Sequence, residues 1–196
     1  ACNLNCFMCE HHRPTVPLKK DVMSQGLFEK VLAESIPSLS CIGLTVSGEP
    51  FVDPNLKERL SVIRKYPHLP IEIVTNGILL DEQHLSLLAG FENMIYFSVS
   101  LNSASAATYR TIHHRDAFDR VVQNLRALPD VLARLGVHQC RRNVSMVLMN
   151  RNIHELEGFA ALGLDLGAQR RRRLAQSRRH PGPIIGAPSA EIGALH

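Results

Sequence analysis

Apolar residues follow two different spacings along the chain, and the alternation between them predicts the fold. Apolar runs of about four to eight residues are typical of strands that are buried on both faces of a parallel sheet. Four such runs predict strands over residues 42–46, 71–74, 94–101 and 144–149. Stretches with the helical period separate them. Strands that alternate with helices predict a parallel α/β sheet with right-handed crossovers.

The predicted helices begin at residues whose side chains can accept a hydrogen bond from an unpaired backbone N–H. The expected caps are Ser24, Asp53 followed by Pro54, Asp81, and the pair Asn152 and Glu155, which resembles a capping box. The strongest amphipathic pattern covers residues 118–128 and predicts a longer helix, with Gly136 near its C-terminus.

Three cysteines at the start of the chain, Cys2, Cys6 and Cys9, have the spacing CxxxCxxC. A four-iron, four-sulfur cluster normally takes four thiolates, so a loop with three leaves one iron open to a ligand from outside the protein. A structural zinc site is the alternative, and it would need His11 or His12 as a fourth ligand. The cysteines alone leave both interpretations open.

Three further motifs lie at the ends of predicted strands, where the chemistry of a βα barrel is found. They are 47–50 (SGEP), 75–77 (TNG) and 98–102 (SVSLN). Together with the cysteine loop, in which Phe7 occupies an aromatic position, they resemble the motifs of the radical S-adenosylmethionine (SAM) superfamily, in the same order. The resemblance covers about residues 1–165 and is closest to the SPASM or peptide-maturase-like branch.

The resemblance implies a partial (β/α)6 TIM-like barrel with parallel strands, of which this chain supplies about units two to five. The expected first strand would precede Cys2, and the pattern of a sixth unit is lost near Asp165, so we expect a core truncated at both ends. Residues 1–167 form this predicted core. Residues 168–196 form an Arg/Pro/Gly-rich tail that we expect to be disordered or non-native.

The resemblance also implies the chemistry. A [4Fe-4S] cluster on Cys2, Cys6 and Cys9 would cleave SAM reductively to a 5′-deoxyadenosyl radical, which abstracts hydrogen from an unidentified substrate, with a peptide or protein as one candidate. A flavodoxin- or ferredoxin-like protein would supply the electron. The expected SAM-binding residues are Phe7, Ser47, Gly48, Glu49, Asn76, Ser100 and Asn102. Arg115 is either a partner of the SAM carboxylate or a surface residue.

Charge, apolar runs and cysteine content indicate which partners and which cellular compartment to expect. The formal net charge of +4 comes from the tail, so the predicted core is near neutral and gives no reason to expect nucleic acid as a partner. No apolar run of about 18 residues predicts a membrane span. The five cysteines are an odd number and three are clustered, which favours a reducing compartment, the cytoplasm. Cys41 and Cys140 are expected to be structural thiols.

Two alternatives to an enzyme remain open on the sequence. One is a non-catalytic module that binds zinc or an iron–sulfur cluster, and the other is an inactive fragment of a radical SAM enzyme.

Overall fold

The structure is a computed structural model that describes residues 1–9, 22–44 and 47–168. Its strands are β1 (Ile42–Gly43), β2 (Ile71–Thr75), β3 (Ile95–Ser100) and β4 (Cys140–Ser145). Its helices are α1 (Gln25–Ser35), α2 (Leu56–Ile63), α3 (Glu82–Leu85), α4 (Ala106–His113), α5 (Phe118–Arg134) and α6 (Leu156–Asp165). His11, His12 and all of the predicted tail except Ala168 lie outside the described residues.

The four strands form one parallel sheet in the order β1-β2-β3-β4, as the alternating pattern predicts. A sequential order is that of a barrel, because a doubly wound sheet reverses its strand order at a switch point. The central strands carry the core: Ile71, Ile95, Phe97 and Val99 are fully buried. No helix in the described ranges is long and apolar enough to cross a membrane.

The fourth strand lies earlier in the chain than its apolar residues predict. The prediction was residues 144–149, but β4 runs from Cys140 to Ser145, with Cys140 beside Ile95 of β3. The backbone N–H groups of Val147 and Met149 donate to the side chains of Asn102 and Asn152 and not to a neighbouring strand. These two bonds end the strand. Every residue of β4 is at least partly exposed, and the first half of the strand is therefore polar. A search for apolar runs does not detect such a segment.

Several predicted helix ends are confirmed. Ser24 caps α1 by accepting from the Leu27 N–H, and Asp81 caps α3 by accepting from the His84 N–H. Gly136 follows the last residues of α5 with a φ of 72°, a left-handed conformation that glycine adopts without strain.

The predicted start at Asp53 is wrong by two residues, since α2 begins at Leu56 with Asn55 as its N-cap. Asp53 accepts from the Asn55 N–H at 2.9 Å, and its carboxylate lies 3.0 Å from the guanidinium of Arg59. The carboxylate therefore holds a turn and an ion pair in place of a cap.

The capping box predicted at Asn152 and Glu155 is also wrong. Asn152 makes no capping hydrogen bond, and a 3-10 turn precedes α6. The buried Asn152 side chain instead donates to the carbonyls of Asn102 and Val147. Glu155 reaches across to the start of α4, a helix that the sequence pattern did not predict.

Candidate active site

The cysteine loop, residues 1–9, is attached to the two turns that follow β1 and β2. The Glu49 N–H donates to the Ala1 carbonyl at 2.9 Å. The Asn76 side-chain amide donates to Asn3 Oδ1 at 2.6 Å. Two of the predicted motifs are therefore in direct contact with the loop that carries the thiols.

The same loop is attached to the end of α4, the helix that follows β3. The Phe7 N–H donates to the Ile112 carbonyl at 2.7 Å, and the Arg115 guanidinium donates to the Asn3 carbonyl at 3.0 Å. Leu4 anchors the loop in the hydrophobic core. The structure thus brings the cysteines to the turns after β1 and β2 and to the C-terminal end of α4, at the carboxyl edge of the sheet.

The three cysteines are free thiols; Cys2 is exposed, and Cys6 and Cys9 are half-buried. Burial, and then the neighbouring Cys2 and Cys9, raise the pKa of Cys6 to about 12, so the three sulfurs lie close enough to interact electrostatically. No three His, Cys, Asp or Glu side chains within the described ranges converge to hold one metal ion. A cubane cluster binds each cysteine through a different iron, so its protein sulfurs lie further apart than the ligands of one ion.

A buried histidine that the sequence pattern missed contacts the central cysteine. His113, the last residue of α4, places Nδ1 3.0 Å from Cys6 Sγ and Nε2 3.2 Å from the Leu101 carbonyl oxygen. A carbonyl only accepts, so Nε2 carries a hydrogen. Burial lowers the pKa of His113 and favours the neutral ring. In this form Nδ1 accepts a hydrogen bond from the Cys6 thiol.

Tyr109 lies one helical turn before His113, and the two ring centroids are 4.3 Å apart. Its hydroxyl oxygen is buried and has no hydrogen-bond partner among the described residues. Burial raises the pKa of Tyr109; Cys6 and Glu49 add to that rise, and Arg115 opposes it. The hydroxyl is therefore within electrostatic reach of the groups that form the site.

Glu49 connects the turns after β1 and β2 and is only 2% exposed. One carboxylate oxygen accepts from the Thr75 hydroxyl at 2.7 Å, and the other accepts from the Asn76 N–H at 2.8 Å. Burial raises the pKa of Glu49, although these hydrogen bonds oppose the rise. Both oxygens hold protein groups in place, and a direct contact of Glu49 with the SAM ammonium stays a prediction.

Glycines in two of the motifs are required by the backbone. Gly48 has a φ of 115°, and a side chain there would collide with the Ala1 carbonyl. Gly77 has a φ of 80°, and a Cβ would lie 2.8 Å from a methyl carbon of Val121 and 2.9 Å from one of Val99. Ser47, beside Gly48, is exposed. The SGEP turn therefore packs directly against the cysteine loop.

Ser100 and Asn102 lie at the end of β3 but have different surroundings. Ser100 is half-buried, and its hydroxyl makes no hydrogen bond within residues 1–9, 22–44 and 47–168. Asn102 is buried with a φ of 59°, and its Oδ1 accepts from the Val147 N–H at 2.8 Å. Asn102 therefore joins the ends of β3 and β4, and SAM binding by either residue stays a prediction.

Phe7 does not belong to the core, since its side chain is 52% exposed. The guanidinium of Arg151, from the loop that precedes α6, lies 3.8 Å from the ring centroid. The sequence pattern gave no indication of Arg151. Phe7 belongs to the cysteine loop, and its contact with SAM stays a prediction.

The residues present suit a cluster and a nucleoside ligand. Cys2, Cys6 and Cys9 would hold the iron, on a loop whose backbone is attached at three places. The buried Tyr109 hydroxyl has no acceptor in the described part of the chain, and a bound group can supply one. The zinc alternative relied on His11 and His12, which lie outside the described residues.

Sequential parallel strands, with a cysteine loop held at their carboxyl ends, place this chain in the class of partial-barrel proteins. This chain belongs to the radical SAM superfamily, whose sequence model matches residues 1–162. The family's cofactors are a [4Fe-4S] cluster and SAM, which confirms the cofactors predicted from the sequence.

Curated relatives also belong to this family. The chain is 30% identical over 172 residues to the probable GTP 3′,8-cyclase of Saccharolobus solfataricus, covering 85% of this chain and 51% of that protein. It is 32% identical over 125 residues to the GTP 3′,8-cyclase of Synechocystis sp., covering 63% of this chain and 37% of that protein. The chain therefore spans about half the length of the curated relatives it matches.

Solved structures confirm the predicted fold. Streptococcus suis SuiB bound to the precursor peptide SuiA matches with a TM-score of 0.66 at 14% identity, over 85% of this chain and 35% of SuiB. Native anSMEcpe with bound AdoMet, which is SAM, matches with a TM-score of 0.62 at 18% identity, over 84% of this chain and 46% of that protein. At these identities the likeness is one of fold.

Proposed function

We propose that this chain is the catalytic core of a radical SAM enzyme. The observation that carries the proposal is the attachment of the cysteine loop to the turns at Glu49 and Asn76 and to the end of α4. When bound, the cluster supplies the electron that splits SAM into methionine and a 5′-deoxyadenosyl radical, which then abstracts a hydrogen atom from the substrate. The chain's own residues position the reactants and exclude water.

The roles of individual residues follow from their surroundings. Cys2, Cys6 and Cys9 ligate the cluster. Glu49 and Asn76 hold two turns against the cysteine loop. The remaining SAM contacts that we propose lie on the exposed or half-buried positions around this loop, at Phe7, Ser47, Gly48 and Ser100, with Asn102 behind them.

Cleavage of SAM into methionine and 5′-deoxyadenosine is the activity that tests this function. Protein reconstituted without oxygen from iron and sulfide, then given dithionite and SAM, should form both products in equal amounts. Replacing Cys2, Cys6 or Cys9 by alanine should abolish the products, because each removes an iron ligand. The matched variants Cys41→Ala and Cys140→Ala should retain them. A cluster that forms without any cleavage would leave only a binding module.

The substrate and the reductant are further proposals. The two cyclases are named for action on GTP, and SuiB is described with a precursor peptide. We place a guanine nucleotide first, because 30% sequence identity is the stronger likeness, and a peptide second. We propose a flavodoxin- or ferredoxin-like protein as the one-electron donor. Deuterium transfer into 5′-deoxyadenosine from labelled GTP, and not from labelled peptide, would support the first substrate.

Location and domain limits complete the proposal. We propose that the protein works in the cytoplasm, where three clustered thiols stay reduced until iron is bound. We also retain residues 1–167 as the core and 168–196 as a separate tail.

A further inference from the structure

Two residues of α4 lie behind the central cysteine: His113 contacts Cys6, and Tyr109 packs on His113. His113 is 1% exposed, and its two ring nitrogens lie between Cys6 Sγ and the Leu101 carbonyl. Tyr109 is fully buried and stacks on the His113 ring. The Leu101 contact and the stacking fix the orientation of the imidazole. The contact at Cys6 therefore restricts where this sulfur can lie.

The Tyr109 hydroxyl is buried, and no described residue forms a hydrogen bond with it. A buried hydroxyl without a partner is costly, so proteins seldom keep one without a use for it. A phenylalanine would fill the same space without this cost. The Tyr109 ring packs on His113, whose Nδ1 lies 3.0 Å from Cys6 Sγ, so Tyr109 belongs to the site and not to a distant part of the core. The electrostatic influence of Cys6, Glu49 and Arg115 on the hydroxyl agrees with this placement.

Resting on the proposed function, we propose that His113 and Tyr109 are positioning residues of the iron–sulfur cluster. His113 fixes the Cys6 sulfur before iron binds. Tyr109 donates its unpaired hydroxyl hydrogen to the sulfur atoms at the Cys6 corner once the cluster is present. A hydrogen bond to cluster sulfur favours the more negative, reduced state and raises the reduction potential.

Tyr109→Phe tests the role of the hydroxyl at the cluster. Its matched control is Tyr96→Phe, which lies on β3 away from the site. The metal-free Tyr109→Phe protein should be at least as stable as wild type toward urea, because an unpaired buried hydroxyl is removed. Its reconstituted cluster should be harder to reduce by about tenfold, which is about 59 mV for a one-electron couple. Redox titration followed by EPR measures this shift without any turnover.

His113→Gln tests whether the imidazole positions the Cys6 sulfur. The exposed His138→Gln is its control. Cluster occupancy at limiting iron should correspond to about tenfold weaker metal affinity in His113→Gln, because the imidazole no longer holds the Cys6 side chain in place before iron binds. The Cys6 thiol proton is released to solvent on iron binding in both proteins. The control should load like wild type.

Each result bears on a specific statement. An unchanged potential in Tyr109→Phe would overturn the role of the hydroxyl, and so would a loss of stability in its metal-free form, which would reveal an existing partner. Wild-type loading of His113→Gln would overturn the role of the imidazole. A wild-type protein that takes up no cluster would instead overturn the proposed function itself, and the inference with it.

Discussion

Glu49 is a buried carboxylate whose two oxygens accept hydrogen bonds from Thr75, the last residue of β2, and from Asn76 in the turn that follows. Its motif suggests a ligand for SAM, but its contacts are those of a structural connection between adjacent βα turns. The same turn holds the cysteine loop through Asn76. The stability of the site should therefore depend on this side chain even when no cofactor is bound.

Glu49→Gln should lower the free energy of unfolding of the metal-free protein by about 1–3 kcal/mol at pH 7, because one acceptor oxygen becomes a donor and leaves a buried N–H or O–H unpaired. Urea denaturation followed by circular dichroism measures the change. The exposed Glu34→Gln is the control and should be neutral. Equal stabilities of Glu49→Gln and the wild type would contradict the structural role.

Glu155, at the start of α6, caps another helix. Its carboxylate accepts from the Ala104 N–H and the Thr108 hydroxyl, both at 2.7 Å, and from the Ser105 hydroxyl. These bonds lie at the positive N-terminal end of α4, where a carboxylate is favourable. Glu155, which follows the loop after β4, therefore holds the N-terminal end of α4, the helix that carries Tyr109 and His113.

Glu155→Gln should destabilise the protein by about 1 kcal/mol at pH 7. Burial opposes but does not outweigh the hydrogen bonds from Ser105, Thr108 and Ala104, so the pKa of Glu155 lies below its ordinary 4.5. A lowered pKa stabilises the fold above pH 4.5, and this contribution is lost as the pH falls further. The difference between Glu155→Gln and wild type should shrink in acid.

Urea titrations at several pH values between neutral and acid measure the stability difference between Glu155→Gln and wild type. The exposed Glu157→Gln is the control. A cost of Glu155→Gln that does not vary with pH would contradict the capping role.

At the scale of the whole molecule, the apolar pattern was enough to predict the sheet. β2 and β3 are central and buried, so their apolar runs locate them to within a residue. β4 is an edge of the described sheet with a polar first half, and apolar residues alone placed it too late. α4 was missed because its buried face includes Thr108 and His113, which do not register as apolar.

The site was predictable only where its residues are close in sequence. The cysteine spacing and the three motifs identified the thiols and the turns around them. The contact between Cys6 and His113 joins residues 107 positions apart, and no local pattern reports it. The same holds for Arg151 over Phe7. Contacts of this kind require the folded sheet, which brings successive turns to one edge.

The central claim is that the cysteine loop leaves one iron of a cluster open to SAM. EPR spectroscopy of the reduced, reconstituted protein tests it directly. We expect a [4Fe-4S] signal whose shape changes on addition of SAM and does not change on addition of 5′-methylthioadenosine at the same concentration, because methylthioadenosine lacks the amino and carboxylate groups of SAM. A cluster signal that SAM leaves unaltered would mean that the fourth iron is already occupied and would contradict the account.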